Sequence, residues 1–183
     1  MIEEYLINHC SPTLANIKTA NLINVSFESF DDLLVSVNRM NEILSSKGIE
    51  LLILKRCEKS ALVYVVRLTL LQRDLNKSGV GEFLSEYGYA CVDAAYCVSR
   101  LKMRLNCGDG FPHEIGIFLG YPLGDVTGFI KNAGQNSLCS GCWKVYCNEC
   151  EAMKTFSKYE HCRKVYNKLW QGGRSIERLA VAV

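Results

Sequence analysis

Ten of the 183 residues are cysteine, and four of these fall within one short stretch as Cys139-x-x-Cys142 and Cys147-x-x-Cys150. Paired Cys-x-x-Cys motifs are a zinc signal, because each pair can present two thiolates to one tetrahedral ion. The spacer opposes that reading. Trp143 to Tyr146 is β-prone, and an extended chain would separate Cys142 from Cys147 by roughly 17 Å at about 3.3 Å per residue. Sulfurs sharing one zinc lie about 2.3 Å from it. A strand and a single-metal site at Cys139, Cys142, Cys147 and Cys150 therefore exclude each other, and a [4Fe–4S] cluster meets the same objection. Zinc and iron–sulfur remain the cofactors to consider if the segment folds back on itself.

With the strand in place, Cys147 and Cys150 sit where a strand passes into a helix. Unpaired backbone N–H groups at a helix start stabilise a thiolate, so this pair is a candidate redox site. A second candidate begins at His9-Cys10. Adjacent side chains diverge, so His9 is poorly placed to deprotonate Cys10. A base brought from elsewhere, His113 beside Glu114, would make Cys10 the nucleophile of a hydrolase or transferase, and Lys18 would supply positive charge. His9, Cys10 and His113 could equally bind a soft metal with Cys139 or Cys162. Against these stand plainer roles: Cys10 as a small buried hydrophobe, and Cys57, Cys91, Cys97, Cys107 and Cys162 as packing or loop thiols.

The elements that would position these residues can be read from periodicity. Ile2 to Asn8 forms a short helix that breaks at His9-Cys10-Ser11-Pro12, and Thr19 to Ser26 forms a strand. Ser29 caps a helix whose apolar face is Phe30, Leu33, Leu34, Val37, Met40 and Leu44, and Gly48 stops it. Ile49 to Lys55 and Ala61 to Arg67 read as a hairpin of strands apolar on both faces, hence covered on both. Helical pieces follow from about Thr69 to Asn132, with Pro112 opening the helix of His113 to Gly120 and Pro122 forcing a break. Residues 142–147 read as a last strand. Residues 149–171, capped by Asn148, read as a long helix with Ala152, Phe156, Tyr159, Cys162, Tyr166, Leu169 and Trp170 on its apolar face. The sum is a single α+β domain over residues 1–183. Its sheet is small, antiparallel or mixed, with about four strands packed against several helices.

Composition narrows the classes of function. Hydrophobic content of 49% and charged content of 22% are globular values. The charge is uneven: residues 1–50 hold three Lys or Arg against seven Asp or Glu, and residues 151–183 hold seven against three. Lys154, Lys158, Arg163, Lys164 and Lys168 read as a solvated helix face rather than a nucleic-acid surface. No stretch approaches the roughly 18 apolar residues of a membrane span, and the start Met1-Ile2-Glu3-Glu4 is acidic where a secretion signal is basic. The expectation is a cytoplasmic protein whose cysteines are thiols or ligands rather than disulfides.

Several segments together resemble a known family. They are His9-Cys10-Ser11-Pro12-Thr13-Leu14-Ala15 with Lys18-Thr19-Ala20-Asn21-Leu22, Pro112 to Leu123 with Asp125-Val126, Trp143-Lys144-Val145-Tyr146, and Cys162-Arg163. In this order and spacing the chain resembles the family of anaerobic Firmicutes proteins called domain of unknown function 3793. The resemblance implies a cytosolic bacterial protein of an oxygen-poor habitat and brings no activity with it. The residues themselves point to a thiol-rich binding or accessory protein that holds a metal or senses redox state. The alternatives are the Cys10–His113 enzyme and an interaction domain without a site, and no partner can be named.

Overall fold

A computed structural model describes residues 2–108 and 110–182. Its sheet is antiparallel with three strands, β1 (Ala20–Ser26), β2 (Glu50–Arg56) and β3 (Ser60–Val66), in the order β1-β3-β2. Side chains alternate across the strands and serve two cores. Ile23, Val25, Leu51, Ala61, Val63 and Val65 face one, while Leu54, Tyr64 and Val66 face the other. The expected double burial of the hairpin strands is explained by helices on both faces.

The first face is covered by α1 (Ile2–Leu14), α2 (Phe30–Leu44), the distal part of α8 (Glu149–Gln171) and α9 (Ile176–Leu179). The other is covered by α3 (Leu68–Leu75), α4 (Val80–Ser85), α5 (Ala94–Asn106), α6 (Ile115–Phe118) and α7 (Leu123–Lys131). As expected, Ser29 caps α2 through the Asp32 amide, and Gly48, at a left-handed φ of 71°, ends the turn that follows it. Asn148 caps α8 through the Glu151 amide.

Three expectations need correction. The N-terminal helix does not break at His9 to Pro12 but runs through to Leu14. Pro12 removes only the N–H that would reach the carbonyl of Asn8, an exposed residue, while Cys10, Ser11, Thr13 and Leu14 are buried against the sheet. Second, the helix after Pro112 is shorter than proposed, leaving His113 in the turn that precedes Ile115. Third, the strand over 142–147 shrinks to β5 (Lys144–Val145), which pairs antiparallel with β4 (Cys139–Ser140) around a tip at Gly141, Cys142 and Trp143. The ladder ends at Val145 because the backbone donors beyond it are taken by a side chain. Asp125 accepts from the amides of Tyr146 at 2.7 Å and Cys147 at 3.0 Å, so neither remains for a longer ladder.

One fully buried side chain ties the layers together. Arg67, which directly follows β3, has no exposed surface. Its guanidinium donates to the carbonyls of Thr13 (2.7 Å), Leu14 (2.9 Å), Lys47 (2.8 Å) and Val181 (2.7 Å). These carbonyls lie at or beyond helix ends, where no intrahelical partner is left for them.

Candidate functional site

Folding back brings the cysteine pairs close in the chain but turns their side chains to different neighbours. Cys147 Sγ donates to Asp125 Oδ1 at 3.0 Å and packs beside Gly124. Cys139 faces Glu149, and burial followed by that carboxylate raises its thiol above the ordinary range. Cys142, at the hairpin tip, lines a separate cavity with Lys18. Among the described residues no three His, Cys, Asp or Glu side chains gather as a metal-binding group. The segment thus folds back, the condition under which a four-cysteine centre is to be considered, but in this arrangement the thiols turn to different neighbours instead of converging.

The helix-start thiolate also needs correction at Cys147. Burial raises this thiol, its hydrogen bond to Asp125 raises it further, and the Asn148 backbone amide lowers it by less. A carboxylate accepting the S–H proton stabilises the neutral form, which outweighs the helix end.

The proposed Cys10–His113 pair does not form. Cys10 has no exposed surface and sits in the core of the first sheet face among α1, α2 and the sheet. Burial pushes its thiol up to about 12, against a smaller opposing pull from Lys18. His113 is exposed on the helical layer of the opposite face, against the rings of Phe111 and Phe129. Glu114 is not free to orient a base, since it is buried, ion-paired with Arg104 Nε at 2.5 Å and bonded by the Tyr89 hydroxyl at 3.2 Å. His113 and Glu114 are thus engaged by neighbours that the local sequence does not reveal.

Lys18 is the proposed site residue with an unusual setting. After α1 the chain turns through Asn16 at a left-handed φ of 57°, and the Lys18 amide donates back to the Pro12 carbonyl at 3.1 Å. This places Lys18 just before β1, with only 7% of its surface exposed. Its ammonium stands 5.5 Å from the ring centre of Tyr121 and 5.9 Å from that of Tyr159. It joins none of the salt bridges found among the described residues. Burial lowers its pKa to about 8, with the nearby Arg163 charge pulling the same way and the Cys142 and Cys10 thiols opposing.

Lys18 lines a cavity of about 400 Å³ together with Asn21, Tyr121, Cys142, Tyr159 and Arg163. Arg163 is half-buried and is also absent from the salt bridges of the described residues. The carboxylate at the rim, Glu160, is engaged by Lys164 at 2.7 Å. The wall is thus cationic and aromatic, which suits an anion with some apolar surface. Tyr121 is held in place by stacking on Trp143, with ring centres 4.8 Å apart, and by donating to the Cys142 carbonyl at 3.2 Å. Tyr121 and Gly141 also form part of a neighbouring, more apolar cavity of about 340 Å³ lined by His113, Phe129 and Trp143.

A family model described as "Protein of unknown function (DUF3793)" matches residues 6–180, nearly the whole chain. The chain belongs to the DUF3793 family. No curated protein and no solved structure matches it. Within this DUF3793 member, the segments that carried the resemblance meet at the cavity: Pro12 and Lys18 from the first, Tyr121 from the second, Arg163 from the last. Asp125, also from the second, and Trp143, from the third, hold the wall beside it.

The residues missed by sequence reasoning are Arg163, Tyr121, Tyr159 and Asp125. Arg163 has the composition of a solvated basic face, but it follows buried Cys162 at the edge of the apolar stripe. Two of the other lysines on α8, Lys154 and Lys164, do lie in solvent and pair with Glu151 and Glu160. Among the described residues no helix is long and apolar enough to cross a membrane.

Proposed function

We propose that the protein is a cytoplasmic binding or accessory protein whose ligand is a small anion held between Lys18 and Arg163. Lys18 carries this reading: a buried ammonium without an acidic partner opens on a cavity of about 400 Å³. Burying an unpaired charge costs several kcal/mol, and a bound anion would offset that cost. Arg163 supplies a planar donor fork suited to a carboxylate or phosphate. Tyr121 and Tyr159 would cover the apolar part of the ligand. Ten cysteines, none of them in a disulfide among the described residues, suit a reducing cell interior. The binding class expected from the thiols is kept, and its site moves from the Cys-x-x-Cys pairs to the Lys18 cavity.

Selective ¹³C labelling of lysine tests the reading, with the Lys18 Cε resonance followed during titration with inorganic phosphate and with acetate. A saturable shift confined to Lys18 is expected. Arg163→Gln should weaken it by about tenfold or more, since a hydrogen bond to a charged group is worth about 1.5–3 kcal/mol. A Lys18 signal that moves no more than those of surface lysines, in step with ionic strength, refutes anion binding here.

A further inference from the structure

An anion site needs a cation, but it does not need a lysine that is ready to lose its proton. Surface salt-bridge lysines such as Lys154 and Lys164 lie in solvent, whereas Lys18 is enclosed, joins no salt bridge among the described residues and shares its cavity with a second cation, Arg163, while the one carboxylate of the lining, Glu160, is engaged by Lys164. Desolvation and a neighbouring positive charge are the two arrangements that turn a lysine into a nucleophilic amine.

We propose that Lys18 is such a nucleophile and condenses with the carbonyl of a small oxo-acid or aldehyde-acid whose carboxylate is held by Arg163. This rests on the anion-binding reading and names the class of ligand within it. In the step, the nitrogen lone pair of the neutral amine attacks the carbonyl carbon to give a carbinolamine. The carbonyl oxygen then leaves as water with the two hydrogens of the amine, and a carbon–nitrogen double bond remains. Amine and carbonyl become imine and water, with no oxidant or reductant.

The environment supports each part. With its pKa at about 8, Lys18 is half neutral at pH 8, where an ordinary lysine is neutral in roughly one molecule in 250. The 7% exposure of Lys18 limits bulk water at the nitrogen, which favours the condensed product. Tyr121 and Tyr159 flank the ammonium with ring faces, so the wall accepts the flat, delocalised imine.

The test traps the imine. The full-length protein is incubated at pH 8 with glyoxylate or pyruvate and sodium cyanoborohydride, and modified lysines are located by peptide mass spectrometry. Lys18 should be labelled at least about tenfold faster than surface lysines, below the ceiling set by its larger free-amine fraction. Propanal, which lacks the carboxylate, should show much less preference for Lys18. Arg163→Gln leaves the nucleophile in place and should remove the advantage of glyoxylate over propanal. Labelling spread over lysines according to exposure overturns the proposal, as does an unchanged acid preference in Arg163→Gln. If phosphate still shifts Lys18 while no adduct forms, condensation fails and anion binding stands. If neither occurs, both fail.

Discussion

Asp125, at the start of α7, accepts the indole Nε1–H of Trp143 at 2.7 Å. The same carboxylate takes the backbone amides of Tyr146 and Cys147 and the thiol of Cys147. Burial alone would raise its pKa, and these bonds together bring it below the usual range. Asp125 is thereby the anchor that fixes the β4–β5 hairpin, and with it the Trp143 ring behind Tyr121 and the Cys142 wall of the Lys18 cavity.

Asp125→Ala leaves several donors without their acceptor. It should destabilise the protein by about 3 kcal/mol, the scale of a buried, charge-assisted hydrogen-bond set. Urea unfolding measures this. Hydrogen exchange should show lost protection at the Tyr146 and Cys147 amides before any global change.

Asp125→Asn retains an acceptor but removes the charge that keeps the Cys147 thiol protonated. Iodoacetamide labelling of Cys147 at pH 7.5 should accelerate relative to the native protein, while that of exposed Cys57 stays the same. Mass spectrometry over a time course reads both.

Lys18 has a lower pKa folded than unfolded, so the unfolded chain binds more protons between about pH 8 and pH 10.5. Its burial cost is fully present below pH 8 and is relieved as pH rises through that interval. Lys18→Met should therefore be more stable than the native protein near pH 7, and the difference should shrink by roughly 3 kcal/mol by pH 10.5. Denaturation midpoints of both proteins across this range test it. A difference that does not vary with pH would mean that Lys18 is solvated. The Cys10 thiol titrates in both proteins and largely cancels from the comparison.

Gly141 sits where a Cβ would run into the Phe156 ring. Gly141→Ala should cost about 1–3 kcal/mol by overpacking. Because Phe156 also packs edge-on against Trp143, the substitution should shift the Trp143 fluorescence as well.

Periodicity and capping were sufficient for the elements: the Ser29 and Asn148 caps, the hairpin and the two-faced burial of its strands are all local properties. The pass through Pro12 was not legible. A proline reads as a break unless it is known that the carbonyl it leaves unpaired faces solvent. The cysteine spacing marks the β4–β5 hairpin but does not say where its thiols point. Whether four thiols converge depends on side-chain direction, which here is set by Asp125 fourteen residues upstream of Cys139. Lys18 was identifiable as a charge beside Cys10, but its isolation depends on Tyr121, Tyr159 and Arg163, which lie a hundred or more residues away. Sequence periodicity carries no information about such meetings.

Arg67 has a consequence for how the protein is made. One of the four carbonyls it holds, that of Val181, lies 114 residues further along the chain. A ribosome delivers residues in order at about 5–20 per second, so Arg67, directly after β3, emerges several seconds before that partner. During that wait the guanidinium cannot be both dry and fully bonded, and the space for it between the end of α1 and the segment after α9 stays open to water. The first sheet face therefore cannot finish sealing until Val181 has left the exit tunnel. A stalled chain ending before residue 181 should remain protease-sensitive at α1 even when β1 to β3 are already out of the exit tunnel.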